Sequence, residues 1–348
     1  MPRFRLPRNA QIWLPGYLKS LALRSKVPAT DLWLMIGDHY EPLFGSAGDE
    51  LGRERVAYWR REWPKIASRH VDSDGRPPRY TFFYPEEEYR PQLLDPLAEM
   101  TRAGIADVET HLHHDHDTEQ NFIDRLSRFK ETLRGRHGLM HDFEGQIGFG
   151  FIHGNWALDN SLPDGRWCGL NNELILLRRL GCYADFTLPS APSPAQTRTI
   201  NSIYWATDDP GKPKSHDTGI PVRPGDCRRG DLLMVQGPLG VRIASDGRLR
   251  PRLEMGEIAS YDLPSADRVR LWLRVAPRLG SHVFVKLFAH GAQELNAKAL
   301  LGGGLELLFR SVRSVCEERG MRMHLVSAWE MFQAIEALRE QRSPSVTG

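Results

Sequence analysis

The feature that most constrains the fold is the regular alternation of short apolar runs with amphipathic segments. Nine runs have the length and composition of buried β-strands, and apolar residues at helical spacing separate many of them. This order of strands and helices predicts an α/β fold with mostly parallel strands and helices outside the sheet. The predicted strands are 32–37, 80–84, 106–113, 146–153, 182–188, 200–206, 231–237, 282–290 and 322–328.

Helical spacing is clearest after the third strand, where Phe122, Leu126, Phe129 and Leu133 share one face of a helix predicted over 118–134. A second predicted helix spans 56–66, although Pro64 is expected to kink or end it. Further helices are predicted over 170–181, 292–318 and 328–340.

Two segments depart from the alternation. Residues 189–230 are rich in Pro, Gly and Asp, and we interpret them as a long excursion over one face, because the predicted strand 200–206 lies within them. The first 26 residues are basic and are predicted to form a solvated N-terminal arm. With no internal repeat and no clear boundary, residues 1–348 are predicted to form a single domain.

Composition excludes several classes of protein. The 348 residues carry a formal net charge of only +2, which argues against a nucleic-acid-binding protein. No apolar stretch is long enough to span a membrane, and the first residues are a poor signal peptide, so we expect a cytoplasmic protein. The four cysteines form no C-x-x-C pair. Any metal site is therefore expected to use histidine and carboxylate ligands, not thiolates.

Polar residues at the ends of the predicted strands indicate a shared site. In parallel α/β folds, sites form where the carboxyl ends of strands meet. Five predicted strands end in histidine, aspartate or asparagine, more than chance placement suggests. Trp156 is either a platform for a sugar ring or a packing residue, and Asp185 either contributes to the site or braces a turn. The strand-end residues are Asp38, His39, His111, His113, His153, Asn155, Asp185 and His290.

The densest of these ends is VETHLHHDHDT, residues 108–118. Side chains alternate between the two faces of a strand, so Glu109, His111 and His113 are predicted to share one face. His111 and His113 would then be close enough to bind one metal ion. Imidazole and carboxylate together suit zinc and other first-row divalent ions. The residues from His114 onward are predicted to begin a loop.

Five segments, in order, resemble motifs of the polysaccharide deacetylase family. They are IGDHYEP (36–42), VETHLHHD (108–115), FIHGNWALDNS (151–161), YADFTLPS (183–190) and KLFAHG (286–291). The resemblance spans most of the chain. It implies an irregular (β/α) barrel and a hydrolase that uses one divalent metal ion, such as zinc, to remove acyl groups from carbohydrates or sugar precursors.

The resemblance also implies individual roles. Asp38 would be the general base and His290 the general acid. Here Asp38-His39 stands where the family has two adjacent aspartates, and Asp115 stands four residues after His111, where the family has a second histidine. The third motif lacks the family's arginine. The implied metal ligands are His39, His111, His113 and Asp115, and the implied substrate-binding residues are Asn155, Trp156 and Asp185.

Two other interpretations remain open. The spacing His111-x-His113-x-Asp115-His116 also matches the H-x-H-x-D-H motif of metallo-β-lactamase-like hydrolases, which requires His116 beside His111 and His113. Alternatively, a degenerate barrel could bind carbohydrate without catalysis. The deacetylase-like interpretation, which we favour, requires five residues to converge within a few ångströms: Asp38, His39, His111, Asp115 and His290.

Overall fold

A computed structural model describes residues 6–243 and 251–344. It has an α/β architecture in which helices surround a twelve-stranded, mostly parallel mixed sheet. Each of the nine predicted strands overlaps a strand of the structure. The described strands are β1 (Asp31–His39), β2 (Tyr80–Pro85), β3 (Ala106–Leu112), β4 (His141–Phe143), β5 (Gln146–His153), β6 (Cys182–Asp185), β7 (Ile203–Ala206), β8 (Ile220–Pro221), β9 (Leu232–Val235), β10 (Gly240–Ile243), β11 (Pro251–Glu254), β12 (Arg278–Leu279), β13 (His282–Ala289) and β14 (Arg322–Leu325).

The predicted helices are also present, together with others that sequence patterns did not indicate. The helix around Pro64 continues to Ala67 instead of ending at the proline. None of the helices within residues 6–243 and 251–344 has the length and apolarity needed to cross a bilayer. The described α-helices are α1 (Ala10–Ala22), α2 (Asp49–Ala67), α3 (Pro91–Arg102), α4 (Glu119–His137), α5 (Glu173–Arg179), α6 (Ala266–Val275), α7 (Glu294–Ala299), α8 (Leu305–Glu318) and α9 (Ala328–Arg339).

The segment predicted as a solvated arm contains a packed helix. Residues 1–5 lie outside the described residues, but α1 buries Trp13 and Tyr17 in an apolar cluster with Ile200 and Leu271. The prediction failed because Pro15 within the helix and the basic residues around it obscured the apolar face. The excursion at 189–230 contains β7 and β8, and β7 pairs antiparallel with β9.

The order of strands places the carboxyl ends of the central strands along one edge. The sheet runs β12-β13-β1-β2-β3-β5-β6-β9-β7-β8, and the pairs from β13 to β9 are parallel. On one side β1 pairs with β13, and on the other its first residues pair with β14 and its last residues with β2. The loops that follow β1, β2, β3, β5 and β13 therefore meet at one end of the sheet.

The sheet curves strongly. Lys286 on β13 donates from Nζ to the carbonyl oxygen of Phe186, directly after β6, at 2.6 Å. Five strand spacings separate β13 from β6 in the sheet order, which corresponds to about 24 Å across a flat sheet. A lysine side chain cannot reach that far, so β13 and β6 face one another across a curved sheet. Burial, offset by Asp185, lowers the pKa of Lys286 to about 7.

Alternate residues of the strands face two different environments. Leu32, Leu34 and Ile36 of β1 lie in the core between the sheet and the outer helices, whereas Trp33 and Met35 lie in the core on the concave face. The alternation follows from the two-residue period of a strand. Odd-numbered residues of β1 consequently point inward, and even-numbered residues point toward the helices.

A buried group of charged residues lies on the concave face of β3, and we call Asp107, Glu109 and His141 the inner cluster. His141 Nε2 is 3.1 Å from Asp107 Oδ2, and its ring stacks on Trp329 at 4.7 Å between centroids. Glu109 accepts hydrogen bonds from the Gly150 N–H and from the Tyr183 hydroxyl. Burial opposes a charge on His141, but Asp107 raises the pKa of His141 to about 9.

The inner cluster predicts a specific pH dependence of stability. A histidine whose pKa is raised on folding stabilises the fold below its unfolded pKa, and this stabilisation is lost as pH rises through the folded pKa. The free energy of unfolding of the wild type should therefore fall, on the order of 2 kcal/mol, as the pH rises from about 6.5 to 9. In His141→Gln this decrease should be absent. Urea unfolding across this range measures it.

The matched control is His116→Gln, because the His116 side chain is 83% exposed. This control should follow the wild-type pH profile. Parallel profiles for the wild type and His141→Gln would contradict the assignment to the inner cluster.

Candidate active site

A polar pocket opens at the carboxyl ends of the central strands, with a volume of about 560 Å³. His39 comes from the end of β1, His113 follows β3, Asn155 and Trp156 follow β5, and His290 follows β13. Four separate strand ends thus contribute to one cavity. This agrees with the prediction that strand-end side chains form a shared site.

Three residues at the pocket, Glu41, His111 and His113, form what we call the pocket triad. Glu41 Oε1 lies 3.3 Å from His111 Nε2 and 3.4 Å from His113 Nε2. Each residue offers one ligand atom, and these atoms all lie within 4.8 Å of one another. Burial opposes ionisation of Glu41, but His111 and His113 hold the pKa of its carboxyl below the usual value. The donor set is two imidazoles and one carboxylate.

The second nitrogen of each triad histidine faces an acceptor. His111 Nδ1 donates to the carbonyl oxygen of Ile152 at 2.7 Å, and His113 Nδ1 lies 2.5 Å from Glu87 Oε1. With Nδ1 protonated, Nε2 of a neutral imidazole presents a lone pair. Two such lone pairs facing a carboxylate oxygen repel it unless a proton or a cation lies between them. Donors arranged in this way, with their outer nitrogens fixed by acceptors, fit a divalent metal ion.

Two further imidazoles line the pocket outside the triad. The ring centre of His39 is 5.2 Å from that of His111 and 5.0 Å from that of His290. Burial lowers the pKa of both His39 and His290, so both rings are neutral at pH 7. Among the described residues, neither side chain has a hydrogen-bond partner. They are therefore free to exchange protons or hydrogen bonds with a molecule in the pocket.

Asp38, predicted as the general base, does not face the pocket. It occupies an even-numbered position of β1 and points toward the helices, where Tyr80 donates to Oδ2 and the Gly291 N–H donates to Oδ1, both at 2.7 Å. Burial raises the pKa of Asp38 to about 7. A Cβ atom on Gly291 would lie 2.1 Å from Asp38 Oδ2, so only glycine fits there. Asp38 thus holds the chain beside His290 and does not touch the pocket.

Asp115 and His116 also lie outside the pocket triad. Asp115 Oδ1 accepts the Trp167 N–H at 2.6 Å and lies 2.8 Å from His116 Nδ1, and the side chains of Asp115 and His116 are 47% and 83% exposed. The expected convergence of five residues is therefore met only in part, by His39, His111 and His290. The exposure of His116 also contradicts the metallo-β-lactamase-like arrangement, as does the mostly parallel sheet.

The three predicted substrate-binding residues separate into two groups. Asn155 and Trp156 line the pocket, and both have a backbone φ of 55°. Asp185 instead is buried and accepts hydrogen bonds from the N–H and the hydroxyl of Thr187, at 3.0 and 2.7 Å. Asp185 therefore braces the turn after β6, which was the alternative interpretation of this residue.

Sequence reasoning missed three acidic residues at the site: Glu41, Glu87 and Glu88. Glu88 lines the pocket and accepts the Leu43 N–H at 2.5 Å, and burial raises its pKa to about 7. Glu41 could have been predicted from the sequence. It stands two positions after His39, and in an extended chain residues two apart point to the same side. Glu87 and Glu88 follow β2. The end of β2 has no histidine, so the pattern of strand ends did not indicate these two residues.

The position of Asp38 leads to a prediction about stability. Asp38→Ala should destabilise the fold by about 3 kcal/mol, because the Tyr80 hydroxyl and the Gly291 N–H would lose their buried acceptor. Urea unfolding measures the change. The control is Asp142→Ala, which removes an exposed carboxylate paired with Arg134 and should cost less than about 1 kcal/mol. Equal effects of the two substitutions would contradict the anchoring role.

No model of a known protein family matches the sequence, and no curated protein matches it significantly.

Proposed function

We propose that the chain is a metal-dependent hydrolase that removes an acyl group from a carbohydrate or sugar precursor, on an irregular (β/α) barrel of the deacetylase type. The observation that carries the proposal is the pocket triad, which lies beside two neutral imidazoles in an open polar cavity. The curvature of the sheet, inferred from the reach of Lys286, supports the barrel.

The residues of the triad fit a catalytic metal ion better than a structural one. Catalytic zinc sites have three protein ligands and keep a position open, whereas structural sites have four. Glu41, His111 and His113 would supply three ligands, and Glu41 and His113 also line the pocket. This set replaces the ligands implied by the resemblance, since Glu41 takes the place expected for Asp115, and His39 lies beside the triad.

A divalent ion bound there would make water a stronger nucleophile at neutral pH and polarise an acyl carbonyl group. In the proposed reaction, the neutral His290 ring accepts a proton from the attacking water and then returns it to the departing sugar oxygen or nitrogen. His39 donates an N–H to the developing negative charge on the acyl oxygen. Asp38 positions the backbone at Gly291 and, through it, His290.

The lining of the pocket supports a carbohydrate substrate. Trp156 provides a flat ring, whose centre is 6.1 Å from that of His39, and Asn155, Glu88 and Gln293 provide hydrogen-bonding groups. A sugar ring has this combination of an apolar face and polar edges. The volume of about 560 Å³ is within the range of small-molecule sites.

The metal content of purified variants tests the triad. His111→Ala combined with His113→Ala should lose one equivalent of divalent ion relative to the wild type, measured by elemental analysis, and Glu41→Gln should weaken binding of that equivalent. Asp115→Asn is the control and should keep it, because Asp115 contacts none of the three residues. An unchanged metal content in the double variant would contradict the proposal.

Release of acetate tests the reaction. With acetylated xylan and N-acetylglucosamine oligomers as substrates, His290→Ala should lower kcat by about 100-fold or more while the metal content stays the same. His116→Ala, at an exposed position, should leave kcat unchanged.

A carbohydrate-binding protein without catalysis would give a different result. Sugar binding would survive chelation, and no acetate would be released by the wild type. That outcome would replace the hydrolase proposal.

A further inference from the structure

A second group of potential metal ligands lies outside the pocket triad, and we call His114, His153, Cys168 and Glu173 the buried tetrad. His114 lies between β3 and α4, His153 ends β5, Cys168 is in the connection after β5, and Glu173 begins α5. The fractional exposure of His114 is 7%, and that of the other three is 0%. Their ligand atoms all lie within 4.8 Å of one another.

Glu173 is at the centre of the tetrad. Its Oε1 is 3.3 Å from His114 Nε2 and 3.5 Å from His153 Nε2, and its Oε2 is 3.3 Å from Cys168 Sγ. The Asp159 N–H also donates to Oε2, at 2.6 Å. Two imidazoles, a thiol and a carboxylate therefore converge from two parts of the fold, the loop after β3 and the segment from the end of β5 to the start of α5.

The outer nitrogens of both histidines face acceptors. His153 Nδ1 donates to the carbonyl oxygen of Gly154 at 2.6 Å, and Asp117 Oδ2 lies 3.2 Å from His114 Nδ1. Carboxylate and carbonyl acceptors behind a histidine are the usual outer partners of a metal ligand. They direct both Nε2 atoms toward the centre of the tetrad.

The tetrad contains a buried polar atom that the described residues do not satisfy. His153 Nε2 has no hydrogen-bond partner among the described residues, although the side chain is completely buried. Buried polar groups are rarely left without partners. The inner cluster provides an internal comparison, because none of its buried polar atoms lacks a partner within the described residues.

We propose that the buried tetrad is a structural zinc site. Four protein ligands with no access to solvent match a closed structural site, and a thiolate among them favours zinc over harder ions. This proposal departs from the expectation that metal ligands here would exclude cysteine. It is independent of the proposed hydrolase activity, since the tetrad shares no residue with the pocket triad.

The bound zinc would hold the connection after β5 in place. That connection carries Asn155 and Trp156, which line the pocket, and it contains only short 3-10 turns before α5. The zinc would join this connection to the loop after β3, which carries His113 of the pocket lining. Two parts of the pocket wall would then be held together. The site is thus structural in itself, and its effect on the pocket is through positioning.

Cobalt(II) provides the test, because a cobalt–thiolate bond gives a charge-transfer absorption band that His/carboxylate sites lack. We expect metal-free protein, kept reduced without thiols, to develop this band on titration with Co²⁺ to one equivalent, and Zn²⁺ to abolish it. Cys168→Ser should lose the band. Cys182→Ser, which removes another fully buried thiol, should keep it.

A milder variant keeps the test decisive if Cys168→Ser fails to fold. Asp117→Asn retains an oxygen acceptor for the Thr118 N–H, and it should weaken zinc affinity by about 10- to 100-fold while leaving the band in place. Glu41→Gln should alter neither the band nor this affinity, which separates this site from the pocket triad. The proposal is overturned if the wild type shows no band, or if the band survives in Cys168→Ser.

Discussion

The alternation of side chains along the parallel strands is the constraint on which the rest of the structure depends. On β1 it directs Leu32, Leu34 and Ile36 to the helices and Trp33 and Met35 to the concave face. Because the strands run in the same direction, their inward positions line a common face and end beside one another at the same edge. His39 and His111 meet there for this reason, although 71 residues separate them in the sequence numbering.

The two proposed metal sites have a common chemical requirement. A buried neutral imidazole has one N–H and one lone pair, and each needs a partner once water is excluded. In both groups the fold satisfies the Nδ1 side of the histidines with a carbonyl or a carboxylate, as with Ile152 and Glu87. The Nε2 atoms are left facing a carboxylate. The groups differ in access, since one opens to a pocket and the other is closed.

Much of the fold could be predicted from the sequence, because apolar runs and helical periods are local signals, and all nine predicted strands are present. The pocket histidines could be predicted from strand ends. The prediction for Asp38 was wrong because adjacent residues on a strand face opposite sides, so that Asp38 points toward the helices when His39 points into the pocket. Cys168 could not be linked to His114, because their proximity depends on how an irregular connection folds back.

The pairing of β1 has a consequence for the order in which the chain acquires structure during synthesis. Its first residues, Asp31–Leu34, bond to β13 on one side and to β14 on the other. Both partner strands belong to the last quarter of the chain. While a ribosome is still making residues 40–281, neither β13 nor β14 exists. Residues Asp31–Leu34 of β1 then have no partner strand on either side. Completion of the central strand is therefore a late, long-range event, of the kind that slows folding and calls for protection of exposed strand edges.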